Sequence, residues 1–499
     1  MVTLICVYNP ANFFASYHWS FMRIKISLIT TLLLISGCGS LSSIPPASQV
    51  SLIIKNGQVI TMNGQKQLIE NGVVIINNDT IVAVGDQTLL AQYQATRIID
   101  AQNGIVMPGM VNTHNHLPMI AFRGLGEEGI ENRLFAYFFP LESEKLSRDL
   151  IYQATRLGAI DLAQSGVTTF ADMYYHVDEM AKATKEIGLR AVLGETVIKF
   201  PVVDAKQPYG GLEYAQKFIT QYQHDPLITP AFAPHAAYTV SKQKLQQINT
   251  LSKKLNVPVL IHVGEFGNEA ARINDNPKQL SPVAWLKDIG VLDQRMVLAH
   301  AIHINQADIA LIKQSGAGIA YNPMANAKGA TGIAPAWEMY QQRVPMGLGT
   351  DGPMSSNQVD LWRTLSYAAN MQRLKHNDRT IMIPEQVIEL ATIGGARALH
   401  MDDKIGSLEV GKKADVIIVE TQSANMMPNY NPYATLVYQA NPSNVTTTIV
   451  NGNIVMEQRQ MVHVDTADVT RHIRAIEADI TAFAKELAKK AITSPSLMK

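Results

Sequence analysis

Between Ile105 and Asp351, short apolar runs alternate with longer helical stretches, and this alternation restricts the fold more than any other feature of the chain. The runs are Ile105–His116, TTFADM (Thr168–Met173), RAVLGE (Arg190–Glu195), ITPAFAPH (Ile228–His235), VPVLIHVGE (Val257–Glu265), RMVLAH (Arg295–His300), GAGIAYNP (Gly316–Pro323) and VPMGLGTD (Val344–Asp351). Strands that alternate with helices build a parallel sheet, and eight βα units in one span predict an α/β fold of the (β/α)8 TIM-barrel type.

The flanks read differently. SLIIKNGQVITMNG and NGVVIINNDTIVAVGD precede the barrel, with Asn56-Gly57 and Asn71-Gly72 at turn positions. KIGSLEVGKKADVIIVE and TTTIVNGNIVMEQRQMVHVD follow it. A small β-sandwich domain built from both chain ends is therefore expected, from 49–106 and 401–465, around a barrel at 107–400. A terminal helix over 466–499 carries Ile473, Ile476, Ile480, Phe483 and Leu487 on one face, which would pack it down.

The first 37 residues read as an address. Arg23 and Lys25 precede the apolar run Ile26–Gly37, which falls short of the roughly 20 residues that span a bilayer. Ile35-Ser36-Gly37-Cys38 resembles a bacterial lipobox, with Met22 as the natural start. Cys38 would then carry a lipid, 38–48 would be a tether, and the folded part would face the periplasm as a lipoprotein of the cell envelope. Cys6 and Cys38 are the only cysteines, which excludes a disulfide framework and a cysteine-rich metal site. Lys+Arg and Asp+Glu are equal at 42 each, so the chain lacks the basic excess of a nucleic-acid binder.

Polar residues gather at the strand ends, where a barrel places its active site. His114 and His116 form His-x-His on the first run, and i and i+2 on a strand share a face. His235, His262, His300 and Asp351 sit at the ends of the fourth, fifth, sixth and eighth runs. Any one of these histidines alone would be an ordinary core or loop residue. Their joint placement points to a shared ion.

VMPGMVNTHNHLPM, HAAYTVS, HVGE, LAHAIHI, NPMANAKGATGIAPA, GLGTDGPMSSN and IGSLEVGKKADVIIVE resemble the amidohydrolase superfamily. The resemblance is to its deaminase and chlorohydrolase branch, which holds S-adenosylhomocysteine/methylthioadenosine, guanine and cytosine deaminases and triazine hydrolases. It implies His114, His116, His262 and Asp351 as ligands of one divalent ion, zinc first, with iron or manganese as alternatives. Such an ion lowers the pKa of bound water from 15.7 to about 7. Glu265 matches the family's His-x-x-Glu proton shuttle, Asp351 would also take a proton, and His300 would orient the attacking group. The fourth run ends Ala233-Pro234-His235 without the lysine that bridges two metals in binuclear members, and His235 matches a substrate-contacting histidine. A homo-oligomer is also implied.

For the substrate, Glu142 in FFPLE matches a glutamate that holds ribose hydroxyls. Two departures stand out. No tryptophan lies between His116 and Glu142, where the family's nucleoside deaminases have one. No arginine lies between Ala191 and Pro234, and Glu195 falls about where one is expected, which would favour an amine or cation over a carboxylate. The sequence thus points to hydrolytic deamination of a small heteroaromatic amine resembling a purine, pyrimidine or pterin. A cyclic amide or ureide hydrolase, a hydrolytic dehalogenase, and a non-catalytic ligand-binding lipoprotein remain the alternatives. Cys38→Ser is expected to release the protein from the membrane fraction; anchoring that survives the change, read by fractionation and blotting, would overturn the lipobox assignment.

Overall fold

The computed structural model describes residues 47–493. The leader, Cys38 and most of the tether lie outside the described residues. Among the described residues, no helix is long and apolar enough to cross a membrane.

Eight parallel strands form the barrel: Met110–Asn115, Val167–Tyr174, Arg190–Val197, Ile228–Pro234, Val259–Val263, Met296–His300, Gly318–Tyr321 and Met346–Leu348. Each pairs with its neighbours in chain order. Most of their residues are buried, as expected for a parallel sheet covered by helices. Helices between them begin where Ser147, Ser241, Ser281 and Asn305 accept a free amide of the first turn. The seam between the eighth and first strands is closed by a reciprocal pair. Asn112 Nδ2 donates to Thr350 Oγ1 at 2.8 Å, and Thr350 N–H donates to Asn112 Oδ1 at 3.2 Å. Asp351 N–H donates to His114 O at 3.0 Å across the same seam.

The two chain ends make one continuous nine-stranded sheet. Ile105–Pro108 joins its halves, parallel to Ser48–Ile60 on one side and antiparallel to Val416–Val419 on the other. The long strand Ser48–Ile60 also pairs with Leu68–Asn77 and, along its first half, with Tyr93–Asp100. Leu52, Ile54, Val74, Val416 and Ile418 form one apolar cluster of the sheet, and Ile53, Val73 and Ile75 another.

The run Ile105–His116, expected as one strand, is two strands in different sheets. The chain crosses at Gly109, whose amide donates to Asp415 O at 2.9 Å. A Cβ there would lie 2.1 Å from Thr168 Oγ1, so only glycine fits the crossing. The terminal helix runs Thr466–Thr493, and the five expected residues of its apolar face are buried or half-buried. Lys145 clamps it by reaching Asp479 at 2.8 Å and lying over the Phe483 ring.

One buried ion pair ties the barrel to the sheet. Arg190 Nε donates to Asp415 Oδ2 at 2.9 Å and its Nη2 to Oδ1 at 3.1 Å, with both side chains almost fully buried. Arg190 also donates to Pro226 O and Asn451 Oδ1, so the guanidinium is well satisfied. Removing one partner leaves a charge stranded in the interior. Arg190→Met is therefore expected to cost about 3–5 kcal/mol, measured as a shift of the urea unfolding midpoint.

Candidate metal centre and active site

The expected strand-end residues converge. Ligand atoms of His114, His116 and His262 lie within 4.8 Å of one another, as do those of His114, His300 and Asp351. All five side chains are buried. His300 and Asp351 take left-handed backbone conformations, with φ of 75° and 61°. Such strain in non-glycine residues is tolerated where the surroundings over-determine it. Here Gly349 lets the chain approach closely, since a Cβ on it would lie 2.2 Å from Asn322 Oδ1 and 3.0 Å from His114 Cβ.

Protonation of the imidazoles follows from their partners. His116 Nδ1 sits 2.8 Å from Met173 O, and His262 Nδ1 sits 2.7 Å from His235 O. A carbonyl can only accept, so both Nδ1 atoms carry the proton. Burial pushes both rings below the usual histidine pKa and keeps them neutral. Their Nε2 lone pairs then face each other at 3.3 Å with no hydrogen between them. His114 Nε2 and His300 Nε2 are also buried without a hydrogen-bond partner. Asp351 Oδ1 lies 3.6 Å from His114 Nε2 and 3.5 Å from His116 Nε2. Against the cost of burial, contact with His114 and the charge of His300 hold the Asp351 carboxyl far below its ordinary range. Inward-facing lone pairs beside an ionised carboxylate are a donor set for a divalent cation, and the Met173 and His235 carbonyls behind the rings fix their orientation.

Glu265 lines the same cavity, 4.0 Å from His300 Nε2, and burial raises its pKa. The carboxylates of Glu265 and Asp351 lift His300 above its usual value despite burial. His300 Nδ1 is 2.9 Å from Asn326 Oδ1. His235 Nδ1 is 3.0 Å from Thr239 Oγ1, whose hydroxyl donates to Ala236 O, so the ring donates through Nδ1 and its Nε2 is left as an acceptor. Burial and then His116 push His235 down to about 3. His235 is not in either ligand group. Among the described residues, no lysine lines the cavity.

The cavity has a volume of about 560 Å3. Glu142 lines it, accepts from Tyr174 Oη at 2.5 Å, and is raised by burial to about 8. Glu195 does not reach it, which corrects its expected substrate contact. The third strand continues to Val197, two residues beyond the expected end. Successive strand residues face opposite ways, so Thr196 lines the cavity while Glu195 turns behind it. Glu195 is 0 % exposed there and accepts from Val177 N–H at 3.2 Å. Sequence reasoning also passed over Tyr174, Arg272, Asn326 and Glu269. Arg272 lines the cavity and lies 4.1 Å from the Tyr238 ring centroid. Buried Glu269 accepts from Glu265 N–H at 3.0 Å and holds that loop in place. Asn326 stood within the quoted NPMANAK motif; the others carried no spacing signal.

A family model described as the amidohydrolase family matches residues 105–455. A 5-methylthioadenosine/S-adenosylhomocysteine deaminase from Syntrophus aciditrophicus is 34% identical over 439 residues, covering 88% of this chain and 99% of the relative. A 5'-deoxyadenosine deaminase from Methanobrevibacter smithii is 35% identical over 433 residues, covering 86% and 98%. Among solved structures, an adenosine deaminase from Xanthomonas campestris with bound zinc has a TM-score of 0.85 at 29% identity, covering 88% of this chain and 100% of that one.

Ion-free protein is expected to lose stability as pH falls from about 6.5 toward 4. An unfolded imidazole takes its proton near 6.5, whereas His114 resists until about 4, so in that window the unfolded state binds more protons. Zinc at about 100 times its Kd should add about 2.7 kcal/mol at neutral pH. His262→Ala or Asp351→Ala should abolish that gain, read by denaturant unfolding with and without zinc.

Proposed function

The chain belongs to the amidohydrolase family and is a metal-dependent aminohydrolase that deaminates a heteroaromatic amine; we propose that its ion is zinc and its substrate an adenine nucleoside. The observation that carries the metal assignment is the pair of unprotonated Nε2 atoms, 3.3 Å apart, on His116 and His262. His114, His116, His262 and Asp351 would hold the ion, and His300 would stand beside it. The substrate class is supported by relatives at 34–35% identity whose names specify adenosine derivatives, and the choice of zinc by the zinc bound in the similar Xanthomonas adenosine deaminase.

When bound, the ion supplies water acidified to near neutrality. Glu265 accepts the proton that water gives up as its oxygen adds to the amine-bearing ring carbon. The raised pKa of this carboxyl lets it hold that proton and pass it to the adjacent ring nitrogen. The proton left on the added oxygen passes by way of Asp351 to the exocyclic nitrogen, so that ammonia leaves and the ring keeps the oxygen as a carbonyl. His300, held at Nδ1 by Asn326, presents Nε2 to the addition. His235, neutral, offers Nε2 as an acceptor for a substrate donor. Glu142, steadied by Tyr174, would meet the sugar hydroxyls. We also propose that the enzyme is held at the cell envelope by a lipidated Cys38, on the strength of the basic and apolar leader.

Glu265→Gln is expected to lower ammonia release from adenosine by about 10²–10⁴-fold, with zinc content unchanged by metal analysis. Turnover equal to the parent's would remove Glu265 as the proton carrier.

A further inference from the structure

Glu195, turned away from the catalytic cavity, meets a second buried acid. Asp204 comes from the segment that follows the third barrel strand, and its side chain is 0 % exposed, as is Glu195. Each acid gives one oxygen to the start of the helix Val177–Ile187. Glu195 Oε2 accepts from Val177 N–H at 3.2 Å, and Asp204 Oδ2 accepts from His176 N–H at 2.6 Å. A helix leaves such first-turn amides without a partner of its own. His176 takes a left-handed backbone there, with φ of 50°, and the hydrogen bond to Asp204 helps to hold it.

The other two oxygens, Glu195 Oε1 and Asp204 Oδ1, are buried and receive no donor. Yet the two side chains are in hydrogen-bond contact with each other. Two ionised carboxylates cannot make that contact, since both only accept; one proton placed between them supplies the missing donor. Burial, and then the charge of Asp204, hold the Glu195 carboxyl well above its ordinary value.

The cations nearby have other partners. Arg148 donates to Glu179 at 2.8 Å, to Tyr214 Oη at 2.9 Å and to Asp178. Tyr214 donates to Asp178 as well. His176 Nδ1 lies 3.3 Å from Arg148 Nη1 and 3.9 Å from Asp204 Oδ2. A guanidinium only donates, so Nδ1 accepts from it, and burial keeps the ring neutral. Lys217 pairs with Glu213 at 2.8 Å on the helix Gly211–Tyr222. On the catalytic side the pair meets Tyr175, whose phenol is kept protonated by burial and by the charges of Glu142, Asp204 and Glu195.

Asp204 also anchors a wall. Phe200, four residues earlier, meets Phe139 edge to face with centroids 5.5 Å apart, and Phe139 lines the catalytic cavity. Lys199 N–H donates to Thr239 O at 3.0 Å, and Val202 and Ala205 exchange backbone hydrogen bonds at 2.9 and 3.1 Å. Going beyond the substrate reading, we propose that Glu195 and Asp204 share one proton, and that its loss as pH rises unfastens the segment 198–205 from the start of the helix Val177–Ile187 and loosens the wall behind Phe139. On opening, the O–H bond of Glu195 breaks, the proton goes to water, and the two carboxylates, both now negative, separate into solvent. A solvated glutamate keeps its proton only below about 4.3. Above that pH the closed form holds one proton more than the open one, so closure weakens as pH rises.

Hydrogen–deuterium exchange of the zinc-loaded protein tests this. It is read by mass spectrometry on peptides covering 176–180 and 198–206, with each rate divided by its intrinsic chemical rate. Protection in the parent is expected to fall about tenfold per pH unit between about pH 5.5 and 7. In Glu195→Gln the side-chain amide donates to Asp204 without a titrating proton, so protection should stay level with pH. Asp204→Asn, which puts the donor on the other side, is expected to do the same and serves should the first variant fail to fold. Protection that does not change with pH in the parent would overturn the shared proton. So would a fall that persists in Glu195→Gln, which would place the titration on His176. Protection restored to the parent by calcium at about pH 7 would also overturn it, by putting an ion where the proton is assigned.

Discussion

Two backbone carbonyls decide what this site can be. Met173 O and His235 O each accept a proton from an imidazole Nδ1, and so oblige His116 and His262 to turn bare Nε2 atoms toward each other. Two acceptors at that separation repel unless a cation lies between them. Both carbonyls are fixed by the barrel itself: Met173 lies on the second strand, and His235 directly follows the fourth. The ladder that makes the fold therefore also sets the ring orientations, and no flexible loop has to find them. The seam reinforces this, because Asp351 reaches the cluster from a backbone hydrogen-bonded to His114.

Around that cluster, the buried charges are arranged by role. The histidines of the first and fifth strands are kept neutral by burial, whereas His300 is pulled toward its charged form by Glu265 and Asp351. Glu265 sits between a positive neighbour and a desolvating wall, which suits a group that must both take and return a proton. Glu269 supports it from behind through the backbone. On the substrate side the cavity turns aromatic, with Glu131, Arg133, Glu142 and Arg272 as its charged lining.

The alternation of runs and the histidines at their ends made the barrel and its five-residue centre legible, because strand position alone decides which way those side chains converge. Parity is where that reasoning failed. Glu195 was expected as a selector because it falls about where the resembling enzymes carry an arginine; on the strand it faces away from the cavity, and its neighbour Thr196 faces in. The split of Ile105–His116 was hidden for a related reason. Its apolar residues serve two sheets in succession, and only the crowding of Gly109 against Thr168 reveals the crossing. Tyr174 and Arg272 act across distant elements, on Glu142 and Tyr238, which leaves no local pattern to read, and Glu269 holds the Glu265 amide in a loop that follows no strand or helix period.

The nine-stranded sheet has a consequence for synthesis. Its central strand Ile105–Pro108 pairs with Val416–Val419, and Arg190 waits for Asp415. A nascent chain leaving the ribosome can zip barrel strands in order, each against the one just made, but cannot complete this sheet until its last segments emerge. Until then one flank of Ile105–Pro108 is an open row of unpaired amides and carbonyls. A chain cut short after the barrel would thus carry a complete set of ligands and a sticky edge, and aggregation rather than lost chemistry would be its failure.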